Sequence, residues 1–587
     1  MNDTHEAMLE VKEHFEFYTG DQWKKDDLHL LEKQQRPAIT INKVLAVVNL
    51  LSGVQRNNRQ DFTVLPRKYG ARMTAEILSR MLKYSYDNTN GDWKTSAFFD
   101  DGTIGGKGWL GVNINYDEDP FNGDIRLEKI SPFDMVEDND NHNYDINEGC
   151  KFVIRKYWWK RSELLLKYPD AKKDIEAGGG GNLSEETAFT NDGEEYDDYQ
   201  YEVFNPNQQR SSEPDDDGGE LYYRVIECWW KEETRSKVLI NPKTKEFRIV
   251  DELTKPIAAK LKESGFIEKE RLVKQLRKTV IVGNIELEHD DHPIPGLNKY
   301  PFVRYSPYYL ENFFFGVIKN LVDPQREHNK RRSQTLHHLS QSANSGIVAD
   351  DDALSDWSTV EDFGSKPGVI IKKKPGSYFE KIQPTQLSAG HFTLDQTAAQ
   401  DIKDISGVNT ELQGQPNDKA VSGRALLFQQ QQGMLVNRIV FDNFNYAMQL
   451  LGNLMLDLIR YTDIYEAVDI SNVMEDEDMM QLGIIGEDGI PDLSKIPSLR
   501  IGNYGVKVVL ASDTPTHRMA NFNTMLEMAQ IGLPIRPKHI IKASDIPNRE
   551  EVIKDIEIQE QIMMAQAGGV QQPGMPMPSQ PSTANGA

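Results

Sequence analysis

Apolar residues recur at helical spacing in several parts of the chain. Residues 1 to 20 carry an acidic amphipathic pattern, and Ile41, Val44, Val47, Val48 and Leu51 place a second helix over 40 to 58, separated from the first by Arg36-Pro37. A third helical pattern covers 71 to 84. Gly102 to Gly111 is too dense in glycine for either regular element and is predicted to be a loop. From about 121 to 240 the pattern shortens to strand-like pieces, Lys151 to Trp158 and Leu221 to Trp230, where aromatic and β-branched residues suit a pleated surface. Thr279 to Leu287 reads as a further strand, and Tyr300 to Pro307 as a Pro/Tyr-rich run.

Beyond residue 310 the chain changes character. Glu311 to about Gln341 is predicted as one long helix, interrupted at most by Pro324. Residues 344 to 386 form a strand-and-turn region with Ile347-Val348, Val369 to Ile371 and Pro375-Gly376, and a second helix runs from about Ser388 to Ile405. Two helices thus bracket a β-type excursion. Residues 407 to 421 are a loop by composition. Ser422 to Leu458 is the longest helical pattern, with Leu427, Met434, Phe441, Met448 and Met455 seven apart. A strand over Tyr504 to Ala511, a helix from Thr516 to Gln530, a helical pattern over Glu550 to Ala567 and a Gln/Pro/Met-rich tail complete the chain.

Composition narrows the function. At 587 residues the chain has room for about four folding units. Its 67 basic and 91 acidic side chains give a net charge of -24, which argues against affinity built on general phosphate neutralisation. Part of that charge lies in one insertion, 178–220, with thirteen acidic side chains between Glu185 and Glu220 and Arg210 as the only base. The two cysteines, Cys150 and Cys228, fit buried thiols better than a disulfide or zinc scaffold. The amino-terminal stretch lacks the basic start and apolar core of a secretory signal, and Met434 to Ile459 contains Arg438, Asp442 and Asp457, so neither export nor a membrane span is expected.

Catalytic signatures are missing: there is no phosphate loop, dinucleotide fingerprint, H-E-x-x-H or G-x-S-x-G. Gly105-Gly106-Lys107-Gly108 lacks the length of a phosphate cradle, Asp350 to Asp352 reads as a solvated turn, and His328, His337 and His338 have no ligand spacing. No enzyme activity, cofactor or metal is expected. Basic residues are more informative. Arg326, Lys330, Arg331 and Arg332 fall along one predicted helix, Lys372, Lys373 and Lys374 in the β excursion, and Arg56 with Arg59 after an early helix. Two readings stand for them: ion pairing within the protein, or contact with nucleic-acid backbone or neighbouring subunits.

An ordered set of residues resembles the portal proteins of tailed bacteriophages, most closely those of short-tailed Salmonella-like phages. The set runs from Gly20-Asp21-Gln22-Trp23, Arg36-Pro37, Asn42 and Gly53 to Asn58, through Asp323-Pro324-Gln325-Arg326, Asn329 and Ser333, to Ser422-Gly423-Arg424-Ala425 and Tyr504 to Val508. The resemblance implies a mixed α+β portal fold assembled as a ring, usually of twelve subunits, at one capsid vertex of the virion. It implies a wing over 1–310, a first stem helix over 311–341, a clip over 342–387 and a second stem helix over 388–407. A tunnel loop over 408–421, the long wing helix and returning strands over 422–511, a crown over 512–567 and a disordered tail over 568–587 would follow. Double-stranded DNA is then the cargo during packaging and ejection. The terminase large subunit, head–tail adaptor or tail proteins, scaffolding protein and major capsid protein are the implied partners, and assembly takes place in the host cytoplasm. Arg326, Lys330, Arg331, Arg332 and Lys419 become candidate channel or subunit contacts, and Lys372, Lys373 and Lys374 candidate clip contacts. The competing readings are a structural protein of the capsid or connector that does not form the channel, and a nuclease or ATPase, which would need convergent carboxylates or a phosphate loop.

Overall fold

The structure, a computed structural model, describes residues 2–67, 71–117, 123–173, 222–242, 247–249, 265–294, 297–311, 313–343, 347–354, 370–381, 389–407, 435–461, 503–510 and 515–531, with isolated residues between them. The chain divides into two compact units, 1–55 with 62–508, and 56–61 with 509–587.

The first unit opens with helices α1 (Asn2–Thr19), α2 (Lys25–Lys33) and α3 (Val44–Asn57). The sequence pattern does not predict α2, a nine-residue helix whose Leu28 and Leu31 are only half-buried and whose Leu30 is exposed. Strand β1 (Gln60–Pro66) leads to α4 (Arg72–Asn88) and α5 (Gly91–Gly105). Strands β2 (Gly108–Asn115) and β3 (Asp124–Ile130) pair antiparallel.

The glycine-dense stretch is therefore no loop. It holds the end of a buried helix, one connecting residue pair and the start of a buried strand. Its glycines permit close packing: a Cβ on Gly102 would sit 2.4 Å from the Tyr305 ring, and one on Gly108 would sit 2.3 Å from the Phe98 carbonyl oxygen. Gly106, at φ 92°, ends the helix in the left-handed region, with its N–H donating to the Gly102 carbonyl.

A second sheet runs in the order β4 (Met135–Glu137), β5 (Phe152–Lys160), β6 (Tyr222–Ile240), β8 (Ile267–Val282) and β9 (Ile285–Asp290), and the short strand β7 (Phe247–Ile249) pairs with β6. The strand predicted over Thr279 to Leu287 is in fact two, joined at Gly283-Asn284, where Gly283 takes φ 56° and brings Val282 opposite Ile285. Strand β10 (Phe302–Tyr305) joins the first sheet beside β2, and β11 (Tyr308–Leu310) with β12 (Phe313–Phe315) makes a tight aromatic hairpin turned at Glu311, φ 54°.

Helix α6 spans Val322–Ala343, so the uninterrupted helix expected from Glu311 begins eleven residues later. The aromatic run before it pairs as a hairpin, and a 3-10 turn over Ile318–Leu321 feeds the helix. Pro324 then lies in the first turn, where a missing N–H leaves no intrahelical bond unmade. Strands β13 (Ile347–Ala349) and β14 (Phe379–Lys381) pair antiparallel, while Val369 to Ile371 supplies no strand among the described residues. Helix α7 (Ala389–Ser406) returns alongside α6. Helix α8 (Arg438–Tyr461) corresponds to the later part of the long helical pattern; residues 408–434, which include the expected tunnel loop and Lys419, lie outside the described residues, as does the acidic insertion 178–220. Strand β15 (Tyr504–Leu510) pairs with β1, and the second unit contains α9 (Pro515–Gln530).

The main core gathers around α5 and α8. Phe98, Phe99, Tyr305 and Phe444 are fully buried; Phe99 stacks on Tyr305 and meets Phe444 edge-on, Phe98 lies tilted against Tyr305 and Phe444, and Phe99 also stacks on Phe441 at 5.8 Å. Met448, Leu451, Met455 and Leu458 carry the apolar stripe of α8 into the same core. Cys150 is buried and Cys228 half-buried, both free, and burial pushes the Cys150 thiol up to about 11. Among the described residues no helix is long and apolar enough to cross a membrane.

Gly108→Ala should lower stability by about 1–3 kcal/mol, because the obstacle is a backbone oxygen that cannot rotate away. Gly53→Ala, in α3 with open space around it, should instead stabilise by up to about 1 kcal/mol. Urea unfolding of both variants measures the contrast.

Candidate nucleic-acid interface

The helix pair α6/α7 and the β13/β14 excursion between its members hold most of the candidate contacts. What positions α6 is a buried polar seam. Gln325, Asn329 and Ser333, four residues apart on one helix face, are 0%, 2% and 4% exposed. The extended segment before α3 lies along this face. Ser333 Oγ accepts from Ile39 N at 2.9 Å, Asn329 Oδ1 from Ile41 N at 3.1 Å and Gln325 Oε1 from Lys43 N at 3.2 Å. Gln325 Nε2 donates to the Ile41 carbonyl at 2.8 Å, and Asn329 Nδ2 to Gln22 Oε1 at 2.6 Å. Gln22 Nε2 donates in turn to the Phe17 carbonyl, and Asn42 Nδ2 to the Tyr18 carbonyl. Of the residues that carried the resemblance, Gln22, Gln325, Asn329 and Ser333 thus bond to one another or to one extended segment, and Asn42 ties that segment to the end of α1. The four-residue polar spacing on α6 was the available signal for it.

Every candidate cation on α6 has an acidic partner in its own chain. Arg326 pairs with Glu13 and lies over the Phe17 ring at 5.1 Å. Lys330 reaches Asp27 at 3.1 Å, Arg331 reaches Glu327 at 3.0 Å, and Arg332 reaches Asp395 on α7 at 3.5 Å. Lys372, Lys373 and Lys374 differ: they are exposed on the segment leading into β14, with Lys373 Nζ donating to the Ser377 carbonyl at 3.3 Å. The cations of α6 are thus held in ion pairs, whereas those of the excursion are exposed.

His328, read from sequence without a role, sits at the α6/α7 contact. It is 4% exposed, and its Nδ1 lies 2.9 Å from Asp395 Oδ1. Burial lowers its pKa, with the nearby Lys43 and Arg332 charges acting the same way and Asp395 against them. His337 and His338 have ring centroids 6.2 Å apart, and no group of metal-binding side chains occurs among the described residues. Asp350 holds the hairpin turn, its Oδ2 accepting from Tyr378 N at 2.7 Å.

Against known proteins, the model of the Phage P22-like portal protein family matches residues 1–586. The chain belongs to that family. As a portal protein it is a structural component of the phage particle, in a family of oligomers associated with head and tail. No curated protein matches it. A solved structure described as the neck of an empty GTA particle, computed with C6 symmetry, is 12% identical; the match covers 54% of this chain and 73% of that one, at a TM-score of 0.22. A likeness that weak carries no argument, and the family match stands without it.

Two outcomes follow for this portal protein. Asn329→Ala leaves the half-buried Ile41 N–H and the buried Gln22 side chain without their partner and should cost about 2–3 kcal/mol, against about 1 kcal/mol for Ser333→Ala, by urea unfolding. Because His328 binds its proton less readily folded than unfolded, its contribution is complete above pH 6.5 and is lost as pH falls below that value. Unfolding measured at pH 7.5 and 5.5 should show a smaller acid loss in His328→Gln than in the natural chain.

Proposed function

We propose that the protein forms a ring, of twelve subunits in the commonest arrangement, at one vertex of the capsid, and that double-stranded DNA passes through its centre during packaging and ejection. The observation that carries this reading is the family match over essentially the whole chain. Under it, helices α6 and α7 are the stem, residues 342–387 the clip, 408–421 the tunnel loop, 422–511 the long wing helix and returning strands, 1–310 the wing and 512–567 the crown.

Surface chemistry supports self-association. Leu336 and Leu339 on α6, and Leu394 and Ile405 on α7, are 44–52% exposed, apolar groups that a neighbouring copy would cover. Ion pairing of Arg326, Lys330, Arg331 and Arg332 suits them to stiffening the stem, with phosphate contact available only by exchange of partners. The exposed Lys372, Lys373 and Lys374 are the better candidates for docking an acidic surface of the terminase large subunit or of a head–tail adaptor. Scaffolding protein and the major capsid protein would meet the ring in the host cytoplasm. Lys419 remains the proposed backbone contact of the tunnel loop, and weak sliding contact, in place of grip, suits an acidic chain moving DNA.

Electron microscopy of the purified protein should show rings with a central channel, and deletion of 410–418 should leave the rings while DNA packaging falls. A compact monomer persisting at high concentration would overturn the ring, and loss of rings on deletion would give the loop a structural role instead.

A further inference from the structure

Burial alternates along the middle of the second sheet. On β6 each odd-numbered residue from Tyr223 to Trp229 is buried, and each even-numbered one from Arg224 to Trp230 is half-buried. The register carries this alternation onto the neighbouring strands. Val153 and Trp229 pack inward with Tyr300 and Phe302, and Val225, Val280 and Val282 with Leu164. On the other face Ile154 lies opposite Cys228, Ile226 opposite Ile281 and Phe152 opposite Trp230. The outward face of a one-sided antiparallel sheet is ordinarily polar. This one carries Ile154, Ile226, Cys228, Trp230 and Ile281 near its centre, all half-buried, and none of them joins an apolar cluster of the described residues.

The same face is positive where β5 ends and β6 begins. Lys156, Lys160 and Arg224 are outward positions there, and no outward residue of β5, or of β6 as far as Trp230, is acidic. These three already interact within the chain, so what they lend the face is its sign. The chain between Ile175 and Tyr222 leaves and rejoins the fold at this end of the sheet, since Tyr222 is opposite Lys160 and Ile175 shares a cluster with Tyr223 and Val225. It holds the thirteen acids of the insertion, and over 196–204 it interleaves Tyr196, Tyr199, Tyr201 and Phe204 with Asp197, Asp198 and Glu202. The forty-six residues 176–221 reach ~150 Å when extended, against ~20 Å across five strands, so length permits contact anywhere on the face.

We propose that the outward face of β5, β6 and β8 is a docking surface and that its occupant is the acidic, aromatic segment 196–204 of the same chain. The rings cover the isoleucines and Trp230, and the three carboxylates meet the positive end of the face. Tyrosine suits this use, because its ring buries a large apolar area at small cost in conformational freedom while its hydroxyl stays hydrated. A tethered segment meets its site at an effective concentration of the order of 1 mM, so a contact with a dissociation constant of about 100 µM is made about 90% of the time.

Cys228 reports on the face, because the other thiol, Cys150, is only 4% exposed. The test is the rate at which a maleimide alkylates Cys228 in the full chain, assigned by peptide mapping and read at low and high protein concentration. One variant carries Tyr196→Ser, Tyr199→Ser, Tyr201→Ser and Phe204→Ser; a second carries Asp197→Asn, Asp198→Asn and Glu202→Gln. The serine variant should react about tenfold faster than the natural chain, as 90% occupancy requires, and the amide variant severalfold faster. Circular dichroism matching that of the natural chain verifies that both fold. A peptide of residues 194–206, added at about 1 mM to match the tethered concentration, should slow the serine variant again, and the same peptide with serine at its four aromatic positions should not. Equal rates in the natural chain and in either variant would overturn the proposal. So would protection that appears only at high protein concentration, which gives the face to a second copy.

Discussion

The architecture depends on a match between two repeats. Four residues of α-helix advance about 6 Å, and two residues of extended chain about 6.6 Å. Gln325, Asn329 and Ser333 can therefore meet alternate backbone N–H groups at Lys43, Ile41 and Ile39 in succession. A polar helix face does here what a neighbouring strand does in a sheet. Slipping the extended segment by one residue would turn carbonyls toward these side chains and leave half-buried donors unmade, at about 1–3 kcal/mol each. The seam thereby fixes where α1 to α3 sit on α6, and the Arg326–Glu13, Lys330–Asp27 and Lys319–Glu10 pairs form around a register already set.

The same seam explains what was legible in the sequence. Gln22, Asn42, Gln325, Asn329 and Ser333 were recognisable as a family pattern because a buried amide network tolerates few substitutions of shape or polarity. Helices α1, α3, α4, α7 and α8 were legible through their apolar spacing. Less visible were features whose cause lies elsewhere in the chain. Gly102 and Gly108 look like loop residues until Tyr305 and Phe98 are seen against them. The run from Tyr308 to Phe315 has apolar residues enough for a helix, and only the turn at Glu311 makes it a hairpin. Among the candidate contacts, residue type marked the cations of α6, and the spacing of Glu327 and Arg331 marks one pair, but the carboxylate partners of Arg326, Lys330 and Arg332 on α1, α2 and α7 are set by the fold, so the balance between ion pairing and phosphate contact could not be read from the string.

Charge is distributed unevenly as a result. The net value of -24 describes the chain as a whole, whereas Arg326, Lys330, Arg331 and Arg332 on α6 each face an acid of the same chain. An exposed ion pair contributes little stability, typically up to about 1 kcal/mol. Its effect is larger on what the surface offers to a polyanion, since a guanidinium already facing a carboxylate presents little net field beyond a Debye length. Lys372 to Lys374 lie outside this network, exposed on the excursion between the helices.

Strand β6 adds a mechanical property. Every residue from Val225 to Ile240 is opposite one of β8, and Tyr222 to Trp230 are also opposite β5. Hydrogen bonds of an antiparallel ladder stand perpendicular to the strand axis. A load applied along β6 therefore strains the whole row in shear, and the bonds must fail together; a load applied across its end would open them one after another. This ribbon is anisotropic, stiff along its length and weak to peeling, so the direction of an applied force would decide how much of it the subunit can bear.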